Sequence, residues 1–253
     1  MKKLLFLLAF TTGLVNAENW AQFRGPNGAG ISAEKGIPIK WTAKDYKWQV
    51  KLPGIGHSSP IVWEDRVIVT SAANKGEKRF IECYRADTGK PVWSKELGGA
   101  THPKHGLNSF ASSTPVTDGK MVYVSWGDND EYFIVAHDFK SGAEKWRTQL
   151  KPSLSKHGHG TAVSPVLFED LVIILNEQDT GPGYIAALDK ATGKERWKIA
   201  RKIEIMTYAT PIIIEVKGEL QLISSCLDDG LMGINPRNGK VLWSTPGNFD
   251  LRT

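Results

Sequence analysis

The sequence predicts an all-β protein, and two of its features carry this prediction. The 253 residues include 25 glycines and 13 prolines, so turn-forming residues are frequent, and nine residues are tryptophans. Five of these tryptophans recur at regular intervals, which is typical of short strands joined by tight turns. Hydrophobic residues make up 41% and charged residues 23% of the chain. This balance excludes a disordered or fibrous protein.

One sequence element occurs four times, and its clearest copy reads Ala-Leu-Asp-Lys-Ala-Thr-Gly-Lys-Glu-Arg-Trp at residues 187–197. In every copy a Trp follows a Gly by four residues, and successive tryptophans are 53, 51 and 46 residues apart. The four pairs are Gly89 and Trp93, Gly142 and Trp146, Gly193 and Trp197, and Gly239 and Trp243. We expect the Gly to supply the positive φ of a tight turn and the Trp to wedge between neighbouring units.

Each copy follows a Ser-Pro or Thr-Pro pair and short β-branched runs bounded by turn residues, so each unit reads as four antiparallel strands, A to D. Pro opens strand A, where a missing N–H costs least. A four-stranded unit at this spacing predicts a β-propeller, whereas a solenoid, the competing architecture, usually has fewer strands per repeat. The predicted propeller covers residues 57–253, with blades at 57–97, 112–150, 162–200 and 208–245.

The segment before the first blade affects the blade count. Residues 18–56 are predicted to be a leader that contains one further outer strand, at residues 45–52 around Trp48. The sequence holds five such D strands but only four A–B–C sets. We therefore expect an incomplete ring with about four of seven or eight blades. A closed four-bladed ring with a redundant strand is the alternative.

The first 17 residues predict export. Lys2 and Lys3 precede an apolar run, and Val15-Asn16-Ala17 has the small-residue form of a signal-peptidase site. The run is shorter than the roughly 20 apolar residues that a transmembrane helix needs, and no Cys follows the cleavage site. We expect a periplasmic or secreted bacterial protein with no membrane span or lipid anchor. The net charge of +5 is too small to predict nucleic-acid binding.

The repeat Ala-x-Asp-x-x-Thr-Gly-x-x-x-Trp resembles the tryptophan-docking repeat of the PQQ-like (pyrroloquinoline quinone) propellers. This family includes enzymes of the quinoprotein alcohol dehydrogenase class and non-enzymatic relatives such as the outer-membrane assembly propeller lipoprotein. Residues 20–28, Trp-Ala-Gln-Phe-Arg-Gly-Pro-Asn-Gly, are similar to the mature start of exported members. The resemblance covers residues 18 to about 250 and implies a ring of seven or eight blades.

The resemblance also implies what a quinone site would need. The enzymes stack the cofactor between a Trp and a disulfide of adjacent cysteines, beside Ca²⁺ held by carboxylate and amide oxygens. This chain has only Cys83 and Cys226, in different repeats, and we predict two separate buried thiols. No cofactor is therefore expected, with PQQ and Ca²⁺ as the alternative.

The antiparallel order places the D-to-A connections and the B–C hairpins on one side of the propeller, which we call the loop face. Five of the six histidines fall there: His57, His102, His105, His157 and His159. Acidic hairpins at residues 128–131, 177–179 and 228–229 share this face. One hypothesis is a metal site built from His57, His105, His157, His159 and Glu177. The alternative is a set of polar loop residues that cap strand A or bind water.

The sequence supports one leading functional hypothesis and two alternatives. It contains no P-loop, no His-Glu-x-x-His and no Gly-x-Ser-x-Gly, and no residue can be assigned as catalytic. We predict a non-catalytic exported propeller, a binding or scaffold module whose loop face meets a protein or glycan partner around Trp126, Tyr132 and Tyr184. The alternatives are a PQQ- and Ca-dependent oxidoreductase and a metal-dependent enzyme that uses the histidines.

Overall fold

The computed structural model describes residues 18–127, 131–151, 160–177, 183–201, 206–226 and 230–246. These residues form four sheets of four antiparallel strands, and the strand order in each sheet follows the chain. Blade 1 contains β1 (Ile61–Trp63), β2 (Arg66–Ala73), β3 (Lys78–Arg85) and β4 (Pro91–Gly98). Blade 2 contains β5 (Val116–Thr117), β6 (Met121–Gly127), β7 (Tyr132–Asp138) and β8 (Glu144–Leu150). Blade 3 contains β9 (Val166–Phe168), β10 (Leu171–Asn176), β11 (Gly183–Asp189) and β12 (Glu195–Arg201). Blade 4 contains β13 (Ile212–Val216), β14 (Glu219–Cys226), β15 (Gly230–Ile234) and β16 (Val241–Thr245).

The predicted fold class is confirmed, since the described residues form four antiparallel four-stranded sheets, as expected of an incomplete β-propeller with four blades. The pairing of the third strand with the fourth shifts register at the same place in every blade, one residue before the strand leaves the sheet. Such a bulge bends the strand towards the turn that carries the repeat glycine. Three 3-10 turns complete the described secondary structure, at Pro26–Gly28, Ala43–Asp45 and Asn74–Gly76. Among the described residues, no helix is long and apolar enough to cross a membrane.

The hydrophobic core lies between the blades. One buried cluster joins blades 1 and 2, a second joins blades 2 and 3, and a third joins blades 3 and 4. In the first cluster, for example, Ile81 of β3 packs with Phe133 of β7. A four-stranded sheet has two apolar faces to cover, and stacking the blades face to face buries both. Neighbouring blades therefore depend on each other for their core.

Four of the repeat tryptophans pack against the blade that follows them in the chain. The indole rings of Trp48, Trp93, Trp146 and Trp197 pack on Gly89, Gly142, Gly193 and Gly239 of the following blade. Each of these glycines has a positive φ, between 66° and 76°, so a side chain would be strained as well as blocked by the ring. The indole N–H of each ring also donates to a backbone carbonyl in the same turn, at 2.9–3.0 Å. Each of these rings therefore lies between two neighbouring blades.

Trp243 is the exception among the repeat tryptophans. Its indole N–H donates to Gln221 of its own blade at 2.7 Å, and the residue is 37% exposed. Val241 and Leu242, beside it on β16, are exposed to a similar degree. The outer strand of blade 4 therefore has no blade packed against it among the described residues.

The leader differs from the prediction in one respect. The expected outer strand at residues 45–52 forms no sheet, although its Trp48 is docked on blade 1 as in the other repeats. The segment has no strand beside it in the described part of the chain, so it has no partner with which to form a sheet. A single isolated bridge, between Ile55 and Ala72, follows it.

The start of the leader crosses the inner strands of the propeller. Trp20 makes two backbone hydrogen bonds with Val62 of β1, at 2.8 and 2.9 Å, and Ala21 O accepts from the N–H of Thr117 in β5 at 3.0 Å. The 3-10 turn that follows contacts β13 of blade 4. The leader thus covers strand edges that would otherwise be open.

Candidate functional site

The loop face is organised around the residue that precedes the first Pro of each blade. The N–H of Ser59 donates to the Thr114 hydroxyl at 2.9 Å, and the N–H of Thr114 donates to the Ser164 hydroxyl at 3.0 Å. The N–H of Ser164 continues the series to the Thr210 hydroxyl at 3.2 Å. We call this series the hydroxyl chain. It links all four blades at the inner rim of the loop face.

The four Ser-Pro and Thr-Pro pairs predict the start of strand A through their Pro, but they do not by themselves predict this role of the hydroxyl residue. The feature of the sequence that indicates this role is the residue before each Pro, which is Ser or Thr in all four repeats. A hydroxyl can accept a hydrogen bond across a blade boundary, which an apolar residue of the same size cannot do.

The structure describes two of the predicted histidine ligands, His57 and His105, and both are exposed. The backbone N–H of His57 donates to Ser109 Oγ at 2.9 Å, and His105 Nδ1 accepts from the N–H of Leu107 at 3.2 Å. His157 and His159 lie outside the described residues. Within the described ranges, no three His, Cys, Asp or Glu side chains are grouped so as to hold a metal ion.

Glu177, the predicted carboxylate ligand, is buried at the loop face with 3% exposure. Its oxygens accept from the N–H and hydroxyl of Thr207 at 3.0 and 2.9 Å, and from the N–H of Tyr208 at 2.8 Å. Burial raises the pKa of Glu177 above its ordinary value, and these hydrogen bonds act in the opposite direction. Tyr208 has a φ of 60°, so the carboxylate holds the connection between blades 3 and 4 in a left-handed turn.

The aromatic residues expected to form an exposed binding set are instead buried, which corrects the prediction. Trp126, Tyr132 and Tyr184 have exposures of 3%, 1% and 4%. They lie on central strands, whose side chains are covered by the neighbouring blade. Trp126 donates its indole N–H to Phe110 O at 2.9 Å, and Tyr132 donates its hydroxyl to Leu175 O at 3.2 Å. These rings therefore pack in the interior below the loop face and are not available on its surface.

His137, the one histidine placed inside a strand, is packed in the interior. It is 1% exposed, and its Nδ1 lies 2.9 Å from Gly142 O, which makes that nitrogen the protonated one. Burial lowers the pKa of His137 below its ordinary value. This histidine therefore supports the turn that receives Trp93, on the side opposite the loop face.

A cleft of about 780 Å³ runs along the inner strands of blades 3 and 4. Phe23 and Arg24 of the leader form one wall, and Phe168 and Ile212 form the other. Tyr208 and Thr210 lie at the end nearer the loop face, and Glu169 lies near the opposite end. Its volume is in the range of small-molecule sites, and the leader supplies part of its lining.

The described residues do not fit a quinone site of the kind that the resemblance implies. Cys83 and Cys226 are separate buried thiols in blades 1 and 4, as predicted, and they cannot form a disulfide of adjacent cysteines. Burial raises the pKa of the Cys83 thiol to about 11, so it stays protonated at neutral pH. Glu177, the buried carboxylate of the loop face, is engaged by the connection between blades 3 and 4.

These features define a class: a β-propeller whose blades are joined by docked tryptophans. The family model described as outer membrane protein assembly factor BamB matches residues 47–202 and 81–250. The chain belongs to this family of PQQ-like propellers. No curated protein gives a significant match.

Solved structures share the fold at low sequence identity. The quinohemoprotein alcohol dehydrogenase ADHIIG from Pseudomonas putida HK5 has a TM-score of 0.56 and 17% identity, over 74% of this chain and 34% of its own. A europium-containing methanol dehydrogenase has a TM-score of 0.59 and 15% identity, over 79% of this chain and 45% of its own. BamB from Moraxella catarrhalis has a TM-score of 0.50 and 19% identity, over 81% of this chain and 55% of its own. This chain therefore spans between about a third and just over half of these relatives.

Proposed function

We propose that the protein is an exported, non-catalytic propeller that presents its loop face to a protein partner. The observation that carries this proposal is the hydroxyl chain, which ties the inner rim of the loop face into one framework across four blades. Connections that carry binding residues work best on such a rigid scaffold. Membership in a family described by an outer membrane assembly factor supports a binding role.

The placement of the ionisable groups supports the same proposal. Glu177 accepts hydrogen bonds from the connection between blades 3 and 4, and His57 and His105 are exposed. Within the described ranges, no three His, Cys, Asp or Glu side chains are grouped so as to hold a metal ion. General acid–base or metal chemistry needs such groups to converge on one point. Exposed polar loops on a rigid frame suit recognition of a partner surface instead.

The test is partner capture by the immobilised mature protein, with two variants matched in their change of charge. His57→Glu combined with Leu107→Glu alters two exposed loop-face positions. Lys140→Gln combined with Lys194→Gln alters two exposed turns on the opposite side. We expect an exported protein to bind the wild type and the second variant but not the first. Loss of binding in both variants, or in neither, would contradict the use of the loop face.

The oxidoreductase alternative is tested in the same preparation, because two of the similar structures are dehydrogenases by name. The protein is incubated with PQQ and Ca²⁺, and reduction of an artificial electron acceptor is followed with a panel of alcohols. We expect no turnover above that of free quinone. Turnover that requires both additions would replace the binding proposal. Capture of a polysaccharide rather than a protein would make the partner a glycan.

A further inference from the structure

A pocket of about 600 Å³ opens on the loop face between blades 1 and 2. We call it the basic pocket, and it is lined by Lys75, Thr101, His102, Pro103, Lys104 and Phe110. Lys75 belongs to the B–C hairpin of blade 1, and the other five belong to the connection that leads to blade 2. The pocket lies apart from the cleft along the inner strands and from Glu177.

The floor of the basic pocket is the ring of Phe110. The His102 ring meets it edge-on, with the centroids 4.8 Å apart, and Lys104 Nζ lies 5.7 Å from its centroid. His102 is fixed from two sides, since its N–H donates to Lys75 O at 3.4 Å and its Nδ1 donates to Ala100 O at 3.1 Å. The His102 ring and the Lys104 ammonium therefore both lie beside one aromatic ring.

The surrounding backbone is held in conformations that cost energy. Lys75 and Phe110 have φ values of 57° and 63°, a region that residues other than glycine rarely adopt. Asn108 Oδ1 accepts from the N–H of Phe110 at 3.1 Å, and the Trp126 indole donates to Phe110 O at 2.9 Å. Gly76, next to Lys75, lies so close to the Phe110 and His102 rings that a Cβ there would crowd them. The placement of Lys75 and Phe110 at this pocket therefore has a cost in backbone energy, which the surrounding contacts offset.

The two lysines of the basic pocket form no ion pair with a carboxylate among the described residues. Across the ranges that the structure describes, no carboxylate lies within 4.0 Å of the ammonium group of either Lys75 or Lys104. Lys104 Nζ makes one hydrogen bond, to the backbone carbonyl of His105 at 3.3 Å. Two lysines that line one pocket attract an anionic group and retain donors for it.

We propose that the basic pocket binds an acidic peptide segment of a partner protein, with a Glu or Asp carboxylate placed between Lys75 and Lys104. This inference rests on the proposed binding role of the loop face and names the chemistry of its partner. Charge complementarity selects the occupant, and the open mouth of the pocket admits a flexible side chain from an extended segment.

The test is a titration of the mature protein with fluorescein-labelled hexaglutamate, followed by fluorescence anisotropy. Lys75→Gln and Lys104→Gln are each expected to weaken binding about two- to fivefold, and the double variant about tenfold or more. Lys140→Gln is the matched control, because it removes the same charge from an exposed turn on the opposite side. Binding should also weaken as the salt concentration rises, and hexaglutamine should not bind.

Three results would overturn the proposal: no binding of hexaglutamate, an equal loss of binding in Lys140→Gln, or binding of trigalacturonate in place of hexaglutamate. The last result would assign the pocket to an anionic glycan. Urea midpoints of the variants confirm that the fold is retained. The titration needs no natural partner, so capture of a partner through the loop face without hexaglutamate binding would contradict only the assignment of this pocket.

Discussion

At the scale of single residues, a docked tryptophan combines three contributions that no other side chain supplies together. The Trp93 ring is 9% exposed, covers Gly142 and donates its indole N–H to Phe139 O at 3.0 Å. A large apolar area is thus buried while the one polar atom of the ring keeps a partner. The glycine leaves room for the ring, and the positive φ of the turn is also suited to glycine.

Trp93→Ala is expected to lower the free energy of unfolding by about 3–5 kcal/mol, because it opens a cavity between blades 1 and 2. Trp243→Ala is the matched control, since that ring has 37% exposure and no following blade among the described residues. Its expected cost is about 1 kcal/mol or less. Urea unfolding followed by circular dichroism measures both. Equal losses would mean that docking on the glycine turn adds nothing to stability.

His137 gives the molecule a dependence on pH that can be assigned to one residue. Burial lowers its pKa in the folded protein, whereas the unfolded chain takes up the proton at the ordinary value of about 6.5. The neutral ring therefore contributes stability that is fully present above that value and is lost as the pH falls from it towards the lower folded pKa.

We expect the wild type to lose stability relative to His137→Asn between about pH 7.5 and about pH 5.5. Urea midpoints at several pH values measure the difference. Thr88→Val, which changes an exposed turn without touching a histidine, serves as the control and should run parallel to the wild type. Parallel curves for His137→Asn and the wild type would exclude His137 as the source of the slope.

At the scale of the structural element, the hydroxyl chain explains why Ser or Thr precedes each first Pro. Thr114 is 1% exposed, and its hydroxyl accepts from Ser59 of the preceding blade. Thr114→Val keeps the shape but leaves that N–H without its acceptor, at an expected cost of about 1–2 kcal/mol. Thr88→Val, in an exposed turn, should change stability by less than about 0.5 kcal/mol.

Amide hydrogen exchange at Ser59 separates this effect from a general loss of stability. The Ser59 amide should exchange faster in Thr114→Val than in the wild type under conditions where amides of β3 remain protected. Uniform acceleration across blade 1 would show instead that the substitution weakens the whole sheet. An unchanged Ser59 amide would contradict the role assigned to the Thr114 hydroxyl.

The elements themselves could be predicted because each blade repeats a local pattern. The residues that fix a strand or turn lie within a few positions of one another, as in the Asp189 turn, where the carboxylate accepts from Ala191 and Thr192. The exposure of side chains on central strands could not be predicted in the same way. Trp126 is buried by a neighbouring blade, and the alternation within one strand does not show that both faces are covered.

At the scale of the whole molecule, the candidate site was predictable only in part. Antiparallel order predicts that the histidines of the connections and the acidic hairpins share one face, and His157, His159 and most of the hairpin residues lie outside the described residues. Whether such groups converge depends on loop conformations that the repeats do not encode. Glu177 is turned inward by hydrogen bonds from Thr207 and Tyr208, 30 and 31 residues later. The basic pocket was missed for the same reason, because Lys75 and Lys104 come from separate loops.

The repeats do not predict the role of the leader, whose first residues pair with strands of blades 1 and 2 that come much later in the chain. Trp20 and Ala21 accept hydrogen bonds from the amides of Val62 in blade 1 and Thr117 in blade 2. The Trp20 ring packs on Gly25, which has a φ of 65° and no room for a Cβ. The tight turn after Ala21 therefore holds the paired segment in place across the inner rim.

Gly25→Ala should release this segment, and Gly36→Ala provides a control at a second glycine of positive φ. Gly25 has a φ of 65° and a ψ of −148°, a conformation almost restricted to glycine, and its Cβ position is occupied by the Trp20 ring, whereas Gly36 faces open space. We expect faster amide exchange at Val62 and Thr117 in Gly25→Ala alone, because these two amides donate to the leader. The blades should keep their own protected amides in both variants. If Val62 and Thr117 stay protected in Gly25→Ala, the leader does not depend on the Trp20–Gly25 contact, and its pairing with the inner strands is sufficient to hold it.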